Sequence, residues 1–179
     1  MIGGDDSSSQ QRRESGRDLA RVVEEFRANG GQVGGAFEGV PLTLVHHRGR
    51  RSGRDHVSPV MYLADDTDPG TIYVFASKAG APTHPDWYHN LAAAGVAEVE
   101  VGTETYQVSV IELRGDERDR IYAAQANRYP GFAEYARKTA GTRTIPVLAL
   151  RRRSRPGCPD PPRPAPHPPG CGAGRGVVA

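Results

Sequence analysis

The sequence predicts an α+β fold that is mainly β, an antiparallel barrel with helices inserted between its strands. Five or six short segments rich in β-branched and aromatic residues alternate apolar and polar side chains, the period of a half-buried strand. Hairpin connections join them and short helices interrupt them, which favours a barrel over a doubly wound sheet. The 179 residues are enough for one domain with a core.

The elements follow in order. Residues 17–31 (RDLARVVEEFRANGG) form a helix with Leu19, Val22, Val23 and Phe26 on one face, closed by Gly30 or Gly31. Residues 41–48 (PLTLVHHR) and 54–64 (RDHVSPVMYLA) are strands joined by a glycine-containing turn. Residues 71–77 (TIYVFAS) are a third strand. Residues 84–95 (HPDWYHNLAAAG) are a short helix, with Pro85 suited to its first position and Gly95 to its end. Residues 96–102 and 105–113 form a hairpin. A helix from residue 115 must stop near Pro130, a second covers 130–141, and 144–150 (TIPVLAL) is the last strand.

Composition narrows the function. A formal charge of +2, with acidic residues spread among the arginines, does not suit a dedicated nucleic-acid binder. No apolar run approaches the roughly 20 residues of a spanning helix, and the N-terminus lacks the apolar core of a signal peptide. The expected location is therefore cytoplasmic. The mixed polar face of the first helix favours packing on the domain, with peripheral contact at the inner membrane face as the lesser alternative. Residues 1–16 read as a disordered leader, 17–150 as the domain, and 151–179, dominated by Pro, Gly and Arg, as a disordered tail. Both cysteines, Cys158 and Cys171, lie in that tail at no metal-binding spacing. His46 and His47 point to opposite faces of a strand, and His84 and His89 are poorly spaced for chelation, so no metal is expected. Dinucleotide-binding, P-loop, nucleophile-elbow and zincin motifs are absent.

Three segments carry chemistry. The turn 48–54 (RGRRSGR) gathers Arg48, Arg50, Arg51 and Arg54 around Ser52, Gly49 and Gly53. Forked guanidinium donors and free backbone amides suit phosphate or carboxylate, although alone such a turn is more often a solvated surface loop. Residues 76–90 (ASKAGAPTHPDWYHN) run from a strand end through Ser77 and Lys78 into a helix N-terminus, with Trp87 as a flat surface. Alone, Trp87 reads as core. Tyr129, Phe132 and Tyr135 fall at spacings of three on one side of a short helix. The residues by themselves favour a core face there over an aromatic lid on a planar ligand.

Taken in order, RGRRSGRDHVSPVMY, SKAGAPTHPDWYHN, YPGFAEY and TRTIPVLAL resemble the deazaflavin-dependent nitroreductase and quinone reductase family over roughly residues 37–150. The resemblance implies a split β-barrel of the flavin- and deazaflavin-binding type with coenzyme F420 in a basic groove. Arg50, Arg51 and Ser52 would then hold the phosphate and oligoglutamate tail, with His56 beside them where the family has a basic residue. Ser77, Lys78, Ala79 and Gly80 would line the phosphate and ring region, Pro59 and Met61 would lie along the ring, and Trp87 would support the pocket. Tyr129, Phe132 and Tyr135 would cover the substrate. Ser77, Tyr129 and Tyr135 would donate to charge developing on the acceptor. Arg51 replaces a family lysine, and Phe132 stands where a tyrosine is expected.

The expected activity is hydride transfer from reduced F420 to a quinone or, opportunistically, a nitroaromatic compound. The alternatives are an FMN-binding split barrel, an F420-binding or carrier protein with little catalysis, and a small nucleic-acid-binding barrel.

Overall fold

The computed structural model describes residues 18–153; the leader, and the tail from residue 154, lie outside the described residues. Helix α1 (residues 18–28) is followed by strands β1 (Leu42–Arg48), β2 (Asp55–Ala64) and β3 (Thr71–Phe75). Helix α2 (Asp86–Ala94), the β4 (Val96–Val101) and β5 (Glu104–Leu113) hairpin, helices α3 (Gly115–Arg128) and α4 (Pro130–Thr139), and β6 (Val147–Arg152) complete the order. The six strands close a barrel in the order β1-β2-β3-β6-β5-β4, every neighbouring pair antiparallel. Together with the helices this is the mainly β, α+β architecture that the alternation predicts.

Strand periodicity sorts the side chains into three apolar clusters. The barrel interior is filled by Val45, Ile72, Val74, Val99, Val108, Leu148 and Leu150, with Leu91 of α2 packed among them. Residues of opposite parity, Leu63, Tyr73, Phe75, Val147 and Ala149, face outward and are covered by Tyr122 of α3 and Phe132 of α4. Leu42 and Leu44 form a second outer face, covered by Phe26 of α1. Met61 on β2 packs against both outer clusters, so β2 lies at the seam between two coverings.

Four details differ from expectation. Leu19 is 46% exposed, and the packed face of α1 begins one turn later at Val22. Pro85 caps α2 in extended conformation (ψ 150°) and is not its first helical residue. Tyr129 is not helical: the following Pro130 disfavours the α region for it, and it takes φ −131°, ψ 95° between α3 and α4. Only Phe132 and Tyr135 of the aromatic trio therefore belong to a helix. Finally, β6 begins at Val147 after Pro146 and runs through Arg152, two residues past the point where the composition changes.

Candidate functional site: a cleft on the outer wall of β2

An open cleft of about 380 Å³ lies where the two outer coverings part. Pro59 and Met61 of β2 and Phe75 at the end of β3 line it, with Val40 on one side. Tyr129, Gly131, Phe132 and Tyr135 form a second wall, Ser77, Lys78 and Ala79 a rim, and Trp87 of α2 a third side. Phe132 is 5% exposed and edge-on to Phe75, with centroids 5.5 Å apart; Tyr135 is edge-on to Phe132 at 5.6 Å. The preference for a core reading thus holds for Phe132, while Tyr129 and Tyr135 are half-buried and carry hydroxyls with no hydrogen-bond partner among the described residues. Tyr122 is the contrast. It is buried, and its hydroxyl donates to the Phe132 carbonyl at 2.7 Å.

The rim is conformationally unusual. Lys78 and Ala79 both have positive φ (48° and 52°), a conformation costing non-glycine residues roughly 1–2 kcal/mol each. Ser77 before them is right-handed, and a right-then-left succession turns consecutive amides into one concavity. The Gly80 and Ala81 amides close the turn onto the Ser77 and Lys78 carbonyls, whereas those of Lys78 and Ala79 have no acceptor among the described residues. The Lys78 ammonium donates to Thr83 Oγ1 at 3.0 Å and meets no carboxylate among the described residues. Gly80 is not part of the cleft lining and packs against Lys138 and the Tyr135 backbone of α4.

The arginine turn sits beyond α2. Trp87 lines the cleft, and Asn90, three residues further on α2, accepts the Arg50 amide on Oδ1 at 3.1 Å. Asn90 Nδ2 lies 3.0 Å from His47 Nδ1, and His47 Nε2 lies 2.9 Å from Ser58 Oγ. These partners leave one proton arrangement. An amide N–H can only donate, so Nδ2 donates to Nδ1, and Nε2–H donates to Ser58. His47 is accordingly neutral: burial first, then the proximity of His56 and His46, pushes its pKa down to about 4. Within the turn, the Gly49 amide donates to the Arg54 carbonyl at 2.7 Å, and a Cβ on Gly49 would lie 2.4 Å from Ser52 Oγ, so a larger residue there would displace the Ser52 hydroxyl. Arg50, Arg51, Ser52, Arg54 and His56 are exposed. None of the three arginines pairs with a carboxylate among the described residues. His56 stacks on His47, centroids 5.5 Å apart.

Of the residues singled out in the sequence, the cleft gathers Pro59, Met61, Ser77, Lys78, Ala79, Trp87, Tyr129, Phe132 and Tyr135. Arg50, Arg51, Ser52 and His56 form a separate basic turn, tied to the cleft through α2. Sequence reasoning gave no role to Phe75, to Asn90 with His47 and Ser58, or to Arg143. A signal existed for the polar ones, since Asn90 ends the segment HPDWYHN and Arg143 opens the segment RTIP. Arg143 donates to the carbonyls of Ala76, Ser77 and Ala81 and to His84 Nδ1. Among the described residues no group of histidine, cysteine and acidic side chains could hold a metal ion, and no helix is long and apolar enough to cross a membrane.

Comparison with known proteins agrees with this fold. A protein of Mycobacterium tuberculosis (strain H37Rv) named for F420H(2)-dependent quinone reduction is 33% identical over 114 residues, spanning 64% of this chain and 92% of its own. The F420H(2)-dependent quinone reductase Rv1261c of the same organism is 31% identical over 136 residues, 72% of this chain and 85% of its own. A solved F420-H2 dependent reductase (FDR-A) superposes with TM-score 0.54 at 33% identity, covering 62% of this chain and 94% of that one. The sequence profile of one family matches residues 19–152, nearly the whole described chain, and the protein belongs to that family, the F420H(2)-dependent quinone reductases.

Proposed function

We propose that the cleft on β2 holds the flat ring of coenzyme F420 against its acceptor, with the Ser77–Gly80 turn and the arginine turn taking the anionic remainder of the cofactor. Family membership makes the protein an oxidoreductase that uses F420 and reduces a small-molecule quinone. The assignment of residues to parts of the ligand is our own reading.

The side chains suit such a group. The cleft volume falls within the roughly 300–1,000 Å³ of small-molecule sites. Pro59, Met61, Phe75 and Trp87 offer apolar surface to a planar ring. The Lys78 and Ala79 amides and the Lys78 ammonium stand beside that surface, suited to a phosphate. The arginine turn, one helix face away, offers forked donors suited to a run of carboxylates. One observation carries the reading: an apolar slot has Lys78 on its rim and an arginine turn tied to it through α2, and no carboxylate among the described residues neutralises Lys78, Arg50, Arg51 or Arg54. Such cations also draw an anionic cofactor inward.

When bound, reduced F420 supplies the hydride. The protein's part is alignment, which is worth several kcal/mol of barrier, and stabilisation of charge on the acceptor. The unengaged hydroxyls of Ser77, Tyr129 and Tyr135 border the cleft and can donate to a quinone oxygen. Phe132 in place of a tyrosine reduces the number of such donors on α4. Quinones are the expected acceptors; nitroaromatics enter opportunistically.

The test is a titration with oxidised F420 followed by quenching of Trp87, the chain's sole tryptophan, with FMN in parallel, then turnover of a menaquinone analogue with reduced F420. Saturable quenching by F420 and turnover are expected. Binding without turnover would indicate a carrier. Quenching by FMN alone would refute the cofactor assignment.

A further inference from the structure

The backbone turn at the cleft rim is strained, and something must hold it. Two successive non-glycine residues, Lys78 and Ala79, are left-handed, and neither lies inside a strand or α-helix that would fix them. One side chain reaches the carbonyl side of this segment. Arg143, from the loop between α4 and β6, donates Nη2–H to the Ser77 carbonyl at 2.8 Å and Nε–H to the Ala81 carbonyl at 2.9 Å. It also donates Nη1–H to the Ala76 carbonyl at 3.1 Å and to His84 Nδ1 at 2.9 Å. The guanidinium thus brackets the turn at residues 76, 77, 81 and 84.

Peptide geometry converts this grip into an orientation. In a trans peptide the C=O and N–H point in opposite directions. Holding the Ser77 carbonyl on Arg143 therefore aims the Lys78 N–H away from Arg143. Arg143 itself is absent from the cleft lining, while Ser77, Lys78 and Ala79 are part of it. Four of its five N–H donors are spent on protein acceptors, so it acts from behind the turn.

We propose that Arg143 is the positioning residue that locks the Ser77–Gly80 turn in its left-handed form and so presents the Lys78 and Ala79 amides for anion binding. The contact needs a planar fork with several N–H groups in fixed directions, which a lysine ammonium cannot supply. Only the ligand arm of the test depends on the function proposed above.

The first arm uses no ligand. Amide hydrogen exchange is followed in the wild type, Arg143→Ala and Arg143→Lys. The Gly80 and Ala81 amides, which close the turn, are expected to exchange at least roughly tenfold faster in both variants, while amides of the β1–β4 pairing hold their rates. Methylguanidinium added to Arg143→Ala restores slow exchange at these positions. In the second arm, F420 affinity by Trp87 quenching falls roughly ten- to a hundredfold in both variants. Unchanged exchange at Gly80 and Ala81 overturns the proposal. Acceleration spread evenly over the barrel does so too, because Arg143 would then be a general structural residue. Should Arg143→Ala fail to fold, Arg143→Lys and His84→Ala, which removes one contact, carry the same comparison. If the wild type binds no F420, the function reading fails while the exchange arm still decides the role of Arg143.

Discussion

Tyr129 and Tyr135 differ from Tyr122 in one respect that matters for chemistry: they line the cleft and their hydroxyls have no partner among the described residues, while that of Tyr122 is spent on the Phe132 carbonyl. Tyr135→Phe is accordingly expected to lower kcat for quinone reduction by on the order of a hundredfold with little change in F420 affinity. An unchanged kcat in steady-state assays would assign the proton to water. His47 supports a second prediction. Its pKa in the fold, about 4, lies below the ordinary value of 6.5 because burial disfavours the imidazolium. Between those values the unfolded chain binds more protons, so stability rises with pH across this window. The contribution is complete above about pH 6.5 and is lost as pH falls toward 4. Protonation would place a hydrogen on Nδ1, opposite the Asn90 amide, and loosen the hold on the Arg50 turn. Urea midpoints at pH 7, 5.5 and 4.5 should fall in the wild type and fall less in His47→Gln. His84, lowered chiefly by burial and then by Arg143, titrates in the same sense, so the difference between the two proteins is the informative quantity. Asp65, held well below the usual carboxylate range chiefly by its bond from Thr67, keeps its full contribution across this window and loses it only at lower pH.

At the scale of elements, the attachment of α1 depends on a contact between two backbones. Gly31, at φ 99°, ends the turn after α1 against the β4–β5 turn, and a Cβ there would lie 2.6 Å from Gly102 Cα. No rotamer relieves a clash with backbone. Gly31→Ala is expected to destabilise the protein by roughly 2–4 kcal/mol, read from denaturant midpoints. A change below about 0.5 kcal/mol, the usual range for surface substitutions, would show that the helix can shift without cost. Gly95 illustrates what was legible at this scale: a glycine after an apolar helical run is a standard helix end, and it sits left-handed at φ 68° as the sequence suggests. The strands were legible for the same local reason, since alternation is written into consecutive residues. Arg143 was not, because its acceptors lie 59–67 residues away and only the register of β6 against β3 brings them together.

For the whole molecule, closure of the barrel depends on β6, which stands between β3 and β5. Arg151 pairs with Thr71 and Ser109, and Arg152 pairs with Val108. The Arg152 amide donates to the Gly70 carbonyl at 2.7 Å and that of Arg153 to the Gln107 carbonyl at 2.9 Å. Composition alone places Arg151 and Arg152 in the tail, because their pairing partners are distant in the chain. A chain ending at Leu150 is expected to melt several degrees lower, since each lost kcal/mol moves the midpoint by roughly 2–8 °C. One ending at Arg153 should melt as the full chain does. Equal melting of all three would show that the final rungs add nothing.

The position of β6 has a consequence for biosynthesis. The chain emerges from the ribosome N-terminus first, and β3 waits through some seventy intervening residues, numbered 76–146, for its partner. The Arg143 contacts to the cleft rim come from the segment just before that partner. The rim of the candidate cleft would thus be among the last parts of the molecule to form. A nascent or truncated chain can own every cleft side chain and still be unable to bind. A ligand that binds only the closed barrel would therefore be expected to shield finished chains, and not unfinished ones, from proteases.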